Sequence, residues 1–314
     1  MGRTGETMEV LQVTDRTPEP LGPCVAVLGS FDGVHIGHQR LFAWARAEAA
    51  ALRARTVAVT FWPHPRWVIK GLDPGLLYGL EERLTHLASL CVDIALVFDF
   101  TREFAAQSPS AFINHCLKGS MDIQHLLVGY NFTFGRGREG TADWLREQAL
   151  VLGFPVTVMP AVRHQDQVVS STRVRHAIAA ADFPLAHTLL GRPYVFTAPV
   201  ERGDGIGSKL LGFPTINMAT THRAVVAEGV YAARVHGIND RVYRGAVSVG
   251  ANPTFGQKPP RIETHILDFD GDLYGQRLGI EFVRRLRGMM TFSGPEALKE
   301  QIAADVRQVR DVLR

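Results

Sequence analysis

Cysteine is scarce in this chain of 314 residues: Cys24, Cys91 and Cys116 are the full set, and no two form a C-x-x-C pair. That excludes a disulfide framework and leaves no zinc-binding spacing. An excess of one charge is missing too. Lys and Arg number 34 against 31 Asp and Glu, a net charge of +3, too near neutral for a chain whose main task is coating nucleic acid or an anionic membrane. No apolar run approaches the ~18–20 residues of a membrane span. The opening MGRTGETMEV lacks the basic-then-apolar layout of a secretory signal. Repeats, low-complexity segments and the phosphate-loop string G-x-x-x-x-G-K-[ST] are also absent. A globular cytoplasmic protein is expected, without nucleic-acid or membrane partners; its oligomeric state is not written in the sequence.

What is present is a 46% hydrophobic, 21% charged composition, enough apolar material for one large domain or two modest ones. Two patterns follow each other and change near residue 190. In the first, short apolar runs (Val25–Leu28, Thr56–Phe61, Ile94–Phe98, His125–Gly129, Val156–Met159) alternate with helical stretches after His38, at Glu81–Leu90, around Ala111–Leu117 and at Asp143–Leu152. Strict alternation predicts a parallel sheet covered on both faces, with ligands beyond the carboxyl ends of its strands. In the second, strand-like runs at Val195–Val200, Gly229–Val235, Tyr243–Val249, Ile262–Phe269 and Leu278–Val283 are separated by turn residues. That predicts an antiparallel barrel or sandwich. A closing helix follows Ser293-Gly-Pro-Glu296, a capping-box pattern, with an apolar stripe at Leu298, Ile302, Val306 and Val309 that predicts packing on the barrel. Residues 1–20 read as a loose extension, with Met8 a candidate start.

The first strand runs into Gly29-Ser30-Phe31-Asp32-Gly-Val-His35-Ile-Gly-His38 and a helix. Glycines allow the close backbone approach that a polyphosphate needs, and two imidazoles three apart at a helix start face one anion. Such donors stabilise charge that develops on a phosphate. Ser170-Ser171-Thr172-Arg-Val-Arg175 is either an anion-binding helix start or an ordinary N-cap with a solvated Arg. Gly203-Asp-Gly205-Ile-Gly207-Ser208-Lys209 leads to Pro214-Thr215-Ile-Asn217. This reads as a backbone phosphate cradle with hard oxygen ligands, or as a plain turn and strand start. Glu263, a carboxylate in a strand with apolar neighbours, is by pattern alone open to reading as an edge-strand surface charge. Gly135-Arg-Gly-Arg-Glu-Gly140 fits G-x-G-x-x-G but follows the fourth of these strands, and no acid lies about 20 residues on.

His-x-Gly-His after the first strand resembles the nucleotidylyltransferases. The longer FDGVHIGHQ, with Thr60-Phe-Trp-Pro-His64-Pro, Gly129-Tyr-Asn131-Phe-Thr-Phe-Gly135 and the SSTRVR string, resembles the prokaryotic bifunctional riboflavin kinase/FMN adenylyltransferase family, also called FAD synthetase. The resemblance spans about residues 10–314. It implies a Rossmann-like adenylyltransferase over 20–185 and a riboflavin kinase barrel with its closing helix over 186–314, an α/β architecture overall. It further implies ATP contacts at Gly29, Ser30, Phe31, Asp32, His35, His38, Ser170, Ser171, Thr172 and Arg175, and flavin contacts at His64 and Asn131. In the kinase half it implies ATP contacts at Gly203, Gly205, Gly207, Ser208 and Lys209, Mg²⁺-ATP on Thr215 and Asn217, and Glu263 as base. The implied substrates are riboflavin, FMN and ATP, with FMN and FAD as products.

Three positions depart from the family pattern: Asn131 for the commoner Asp, Ile216 for the usual Ala, and Met289 for Glu in Leu-Arg-x-Glu-x-x-Phe. Three other readings stay open at this level. They are an FMN adenylyltransferase with a decayed kinase half, a flavin-binding regulator or carrier without turnover, and a nucleotidyltransferase for another phosphate-bearing acceptor.

Overall fold

The computed structural model describes residues 7–71, 75–202, 212–219, 225–250 and 261–314. The chain divides into two compact units, Met1–Ser171 and Thr172–Arg314.

The first unit is a six-stranded parallel sheet. Its strands are β1 (Glu9–Val13), β2 (Pro23–Leu28), β3 (Arg55–Trp62), β4 (Ile94–Asp99), β5 (Asp122–Gly129) and β6 (Val156–Met159), in the order β1-β4-β3-β2-β5-β6. Side chains alternate across a strand, and β2 shows why both faces are covered. Cys24, Ala26 and Leu28 join a core with Phe61, Phe98, Phe112 and Leu145. Val25 and Val27 join another with Leu41, Phe42 and Ala45 of helix α1 (Ile36–Leu52) and Leu87. Strands buried on both faces are near-continuous apolar runs, which is the pattern that predicted them. The order reverses at β2, which has β3 on one side and β5 on the other. The carboxyl ends of β2 and β5 therefore flank the crevice where such sheets take ligands.

Residues 9–13 are not a loose extension. They form β1, an edge strand in parallel register with β4 (Leu11 opposite Leu96), and Leu11 and Val13 pack on the core. The run expected as one helix around Ala111–Leu117 is α-helical only at its ends. Its middle, Phe112–Leu117, widens to π-helical hydrogen bonding. The G-x-G-x-x-G string is a tight turn between two short paired strands, Thr133–Phe134 and Gly140–Thr141.

In the second unit, β7 (Val195–Glu201), β8 (Ile216–Met218), β9 (Gly229–Ile238), β10 (Arg241–Gly250), β11 (Arg261–Ile266) and β12 (Arg277–Arg287) close an antiparallel barrel in the order β7-β8-β11-β10-β9-β12. Along β11, Ile262, Thr264 and Ile266 are buried while Arg261, Glu263 and His265 are half-buried. This alternation separates the barrel interior from the face that carries Glu263. The closing helix (Pro295–Val312) packs on the barrel through Val309, Val306 and Val312 against Ala232 and Leu267. Its N-cap is Gly294, in extended backbone with Pro295 behind it, so the capping box expected from Ser293 and Glu296 does not form. Among the described residues no helix is long and apolar enough to cross a membrane.

Candidate active sites

The loop after β2 is held tightly. Gly29 N–H donates to the Val59 carbonyl at 3.1 Å, and Thr60 Oγ1 donates to the Ser30 carbonyl at 3.3 Å. A side chain at Gly29 would meet the Phe31 ring at 2.7 Å, so only glycine fits. Phe31 and Val34 adopt positive φ of 49° and 41°, with Gly33 at 86° between them. A β-branched residue rarely adopts that region, and strain of this kind gathers at functional loops. Asp32 is 2% exposed, and its carboxylate accepts from the N–H groups of Leu77 (3.0 Å) and Tyr78 (3.4 Å).

The loop delivers His35 as the N-cap of α1, its Nδ1 accepting from the His38 N–H at 3.4 Å. The two imidazoles stack, with centroids 3.7 Å apart and planes 15° from parallel, and Phe31 meets His38 edge-on at 5.4 Å. The loop also meets the second signature. Ser171 Oγ donates to the Asp32 carbonyl at 2.7 Å. Ser171 opens the helix Ser171–Ala179, with Thr172 and Arg175 following on it. By contact, that helix belongs from Thr172 onward to the second unit.

At the end of β3, His64 is 5% exposed and caps the helix α2 (Pro65–Lys70), Nδ1 accepting from the Arg66 N–H at 3.2 Å. Asn131 is exposed in the turn after β5. Gly29–Asp32, His35, His38 and Ser171 are thus brought together, with His64 and Asn131 on the loops at the ends of β3 and β5.

The barrel carries a second constellation. Asn217 of β8 lies opposite Glu263 of β11, and Glu263 opposite Ser248 of β10. Opposed residues of antiparallel strands share a face with Cβ atoms about 5 Å apart, so amide, carboxylate and hydroxyl form one row. Asn217 Oδ1 is buried and has no hydrogen-bond partner among the described residues. Thr215 directly precedes β8, and the His265 Nδ1–H donates to the Pro214 carbonyl beside it at 2.8 Å. Met289 places its sulfur 4.0 Å from Ser248 Oγ, at the end of the row. The expected ATP contacts Gly203, Gly205, Gly207, Ser208 and Lys209 lie outside the described residues.

Residues 17–173 match the family model described as FAD synthetase, and residues 190–313 the model described as riboflavin kinase. The chain is 37% identical to the bifunctional riboflavin kinase/FMN adenylyltransferase of Pseudomonas fluorescens, over 93% of this chain and 94% of that protein. It is 34% identical to the same-named protein of Bacillus subtilis, over 90% of each chain. The chain belongs to the bifunctional riboflavin kinase/FMN adenylyltransferase family. A crystal structure described as a macrolide-efflux protein from Streptococcus pneumoniae also resembles it, with a TM-score of 0.80 and 30% identity over 96% of this chain and 99% of that one.

Within this family framework, sequence reasoning missed two features. Ser248 completes the row on the barrel, but only strand pairing sets it opposite Glu263, and nothing in the local pattern singled it out. Arg83 left a clearer signal. In the helix α3 (Leu80–Ser89), it stands at the helical spacing of Leu80, Leu84 and Leu87, on the face that should be apolar.

Proposed function

We propose a division of labour within this bifunctional enzyme: residues of about 20–185 adenylylate FMN, and residues of about 186–314 phosphorylate riboflavin. The enzyme converts riboflavin and ATP to FMN and ADP, then FMN and ATP to FAD and pyrophosphate. Two matched models in chain order support assigning one step to each half.

In the kinase half, Glu263 accepts the proton of the ribityl 5′-hydroxyl. That oxygen attacks the γ-phosphorus, and the bond to ADP breaks. The buried, unpartnered Asn217 Oδ1 one strand away suits a hard cation, and with Thr215 it forms the oxygen donor set for Mg²⁺. Such an ion neutralises phosphate charge when bound. In the adenylyltransferase half, a phosphate oxygen of FMN attacks the α-phosphorus and pyrophosphate leaves. The stacked His35 and His38 stabilise the oxyanion, while Ser171, Thr172 and Arg175 hold the leaving group. Gly29–Asp32 and Ser170 cradle the nucleotide, and His64 and Asn131 line the flavin side. No covalent intermediate is needed, because positioning and charge stabilisation carry such transfers. Working on small ATP-dependent metabolites, the enzyme acts in the cytoplasm.

The opposition of Asn217 and Glu263 on one barrel face carries this reading. A carboxylate and a buried amide oxygen side by side are what a base and a metal ligand need. Pure protein with riboflavin, excess ATP and Mg²⁺, followed by chromatography of the flavins, tests it. FMN should rise first and FAD follow. FAD from added FMN but nothing from riboflavin would leave only the adenylyltransferase.

A further inference from the structure

Arg83 is fully buried, although it carries a charge and stands on no surface. Its Nη1 donates to the Phe61 carbonyl at 3.3 Å, and its Cζ lies 5.5 Å from the centroid of the Trp62 ring. Nε and Nη2 are buried without a hydrogen-bond partner among the described residues. Burial pulls its pKa down, and the carboxylate of Asp32 opposes that shift. A buried cation is costly unless a charge compensates it, and removing one partner leaves the other uncompensated. Arg83 therefore belongs to a helix that meets two loops of one site. On one side, the lead into α3 donates from the Leu77 and Tyr78 N–H groups to the carboxylate of Asp32, whose main-chain carbonyl receives Ser171 Oγ. On the other is the end of β3, where Phe61 and Trp62 lead directly to His64.

The geometry points to Arg83 as a positioning residue for adenylyl transfer: its buried guanidinium ties helix α3, whose lead-in holds Asp32, to the end of β3 that leads to His64. The nucleotide-side and flavin-side loops are thereby set at a fixed separation. This inference rests on assigning adenylyl transfer to the first half. Arg83 is fully buried and acts through the loops it braces, so its effect falls on how well the bound pair is aligned, which is read in kcat more than in KM.

The test uses the full chain with Arg83→Lys and Arg83→Gln. Lys keeps the charge and loses the fork; Gln keeps a donor for the Phe61 carbonyl and loses the charge. FAD formation from FMN should lose about 10–100-fold in kcat for Arg83→Gln and about 3–10-fold for Arg83→Lys, with both KM values within about threefold. FMN formation from riboflavin by the same preparations should stay within about twofold, which separates misalignment from general unfolding. An adenylylation kcat within twofold of wild type in both variants would overturn the inference, as would equal losses in both reactions. If Arg83→Gln does not fold, Arg83→Lys decides alone, by the same limits. Wild-type protein that makes no FAD from FMN would instead sink the functional reading beneath it.

Discussion

His35 and His38 are stacked at 3.7 Å, and the His35 Nδ1 accepts the His38 main-chain N–H. A neutral imidazole that accepts at Nδ1 carries its proton on Nε2, so the helix cap fixes His35 as a hydrogen-bond donor at its other nitrogen. His38 has no such capping duty. The two substitutions should differ accordingly. His38→Ala should cost about 100–1,000-fold in FAD formation with little loss of stability. His35→Ala should cost a comparable factor and, through the lost cap, about 1 kcal/mol of stability as well. Thermal melts beside FAD assays separate them. Normal FAD output from His38→Ala would remove the imidazole pair from the mechanism.

The row on the barrel makes the opposite prediction. Glu263→Gln removes the proposed base but keeps the strand register with Asn217 and Ser248. FMN formation should fall about 100–10,000-fold, the range expected for losing a general base. Asn217→Ala should lower FMN formation and weaken its dependence on Mg²⁺. Both variants should still make FAD from added FMN. A folded variant that lost both reactions would show that the halves are not separable.

Much of this was legible from the chain. The doubly covered sheet follows from five short, mainly apolar runs, because a parallel strand buried on both faces shows little polar alternation. The loop after β2 was legible because its glycines answer local needs: at Gly29 a Cβ would strike Phe31, and Gly33 holds φ of 86°. What stayed hidden depends on distance in sequence. The row of Asn217, Glu263 and Ser248 exists only through strand pairing, which alternation alone does not specify. Edge strand β1 escaped because Leu11 and Val13 find their partners only across β4. The Ser293 cap failed because Gly294 and Pro295 end the loop one residue later than the pattern suggests. Arg83 was visible as a charge at an apolar position, but its partners, the Phe61 carbonyl and the Trp62 ring, lie on another element of the chain.

The closing helix is bolted down by one buried charge pair. Asp305, 2% exposed, accepts from Arg287 Nε at 3.0 Å and Nη2 at 2.7 Å, and from Gln301 Nε2 at 2.9 Å. Arg287 belongs to the string in which Met289 replaces Glu. Asp305→Ala leaves that guanidinium without its acceptor, which costs about 3–5 kcal/mol for buried pairs. Thermal inactivation of FMN formation should shift to lower temperature, while FAD formation from FMN should inactivate as in wild type. Parallel shifts in both activities would mean that the pair does more than hold this helix.

The cysteines give a prediction with a sign in pH. Cys24 and Cys116 are buried and Cys91 is exposed. Burial, the largest effect at each, pushes the Cys24 thiol up to about 12 and the Cys116 thiol up to about 11, against an ordinary value of 9.0. A thiol-specific dye should therefore label one cysteine quickly in the native protein and all three after denaturation. The unfolded chain ionises these two thiols first, so it sheds protons that the folded chain retains. Stability should then be unaffected by them below about pH 9 and fall as pH rises from there towards 11 and 12. Replacing both with Ala should flatten that alkaline decline, measured by urea unfolding at pH steps. A decline of unchanged slope in the double variant would place its origin in other groups.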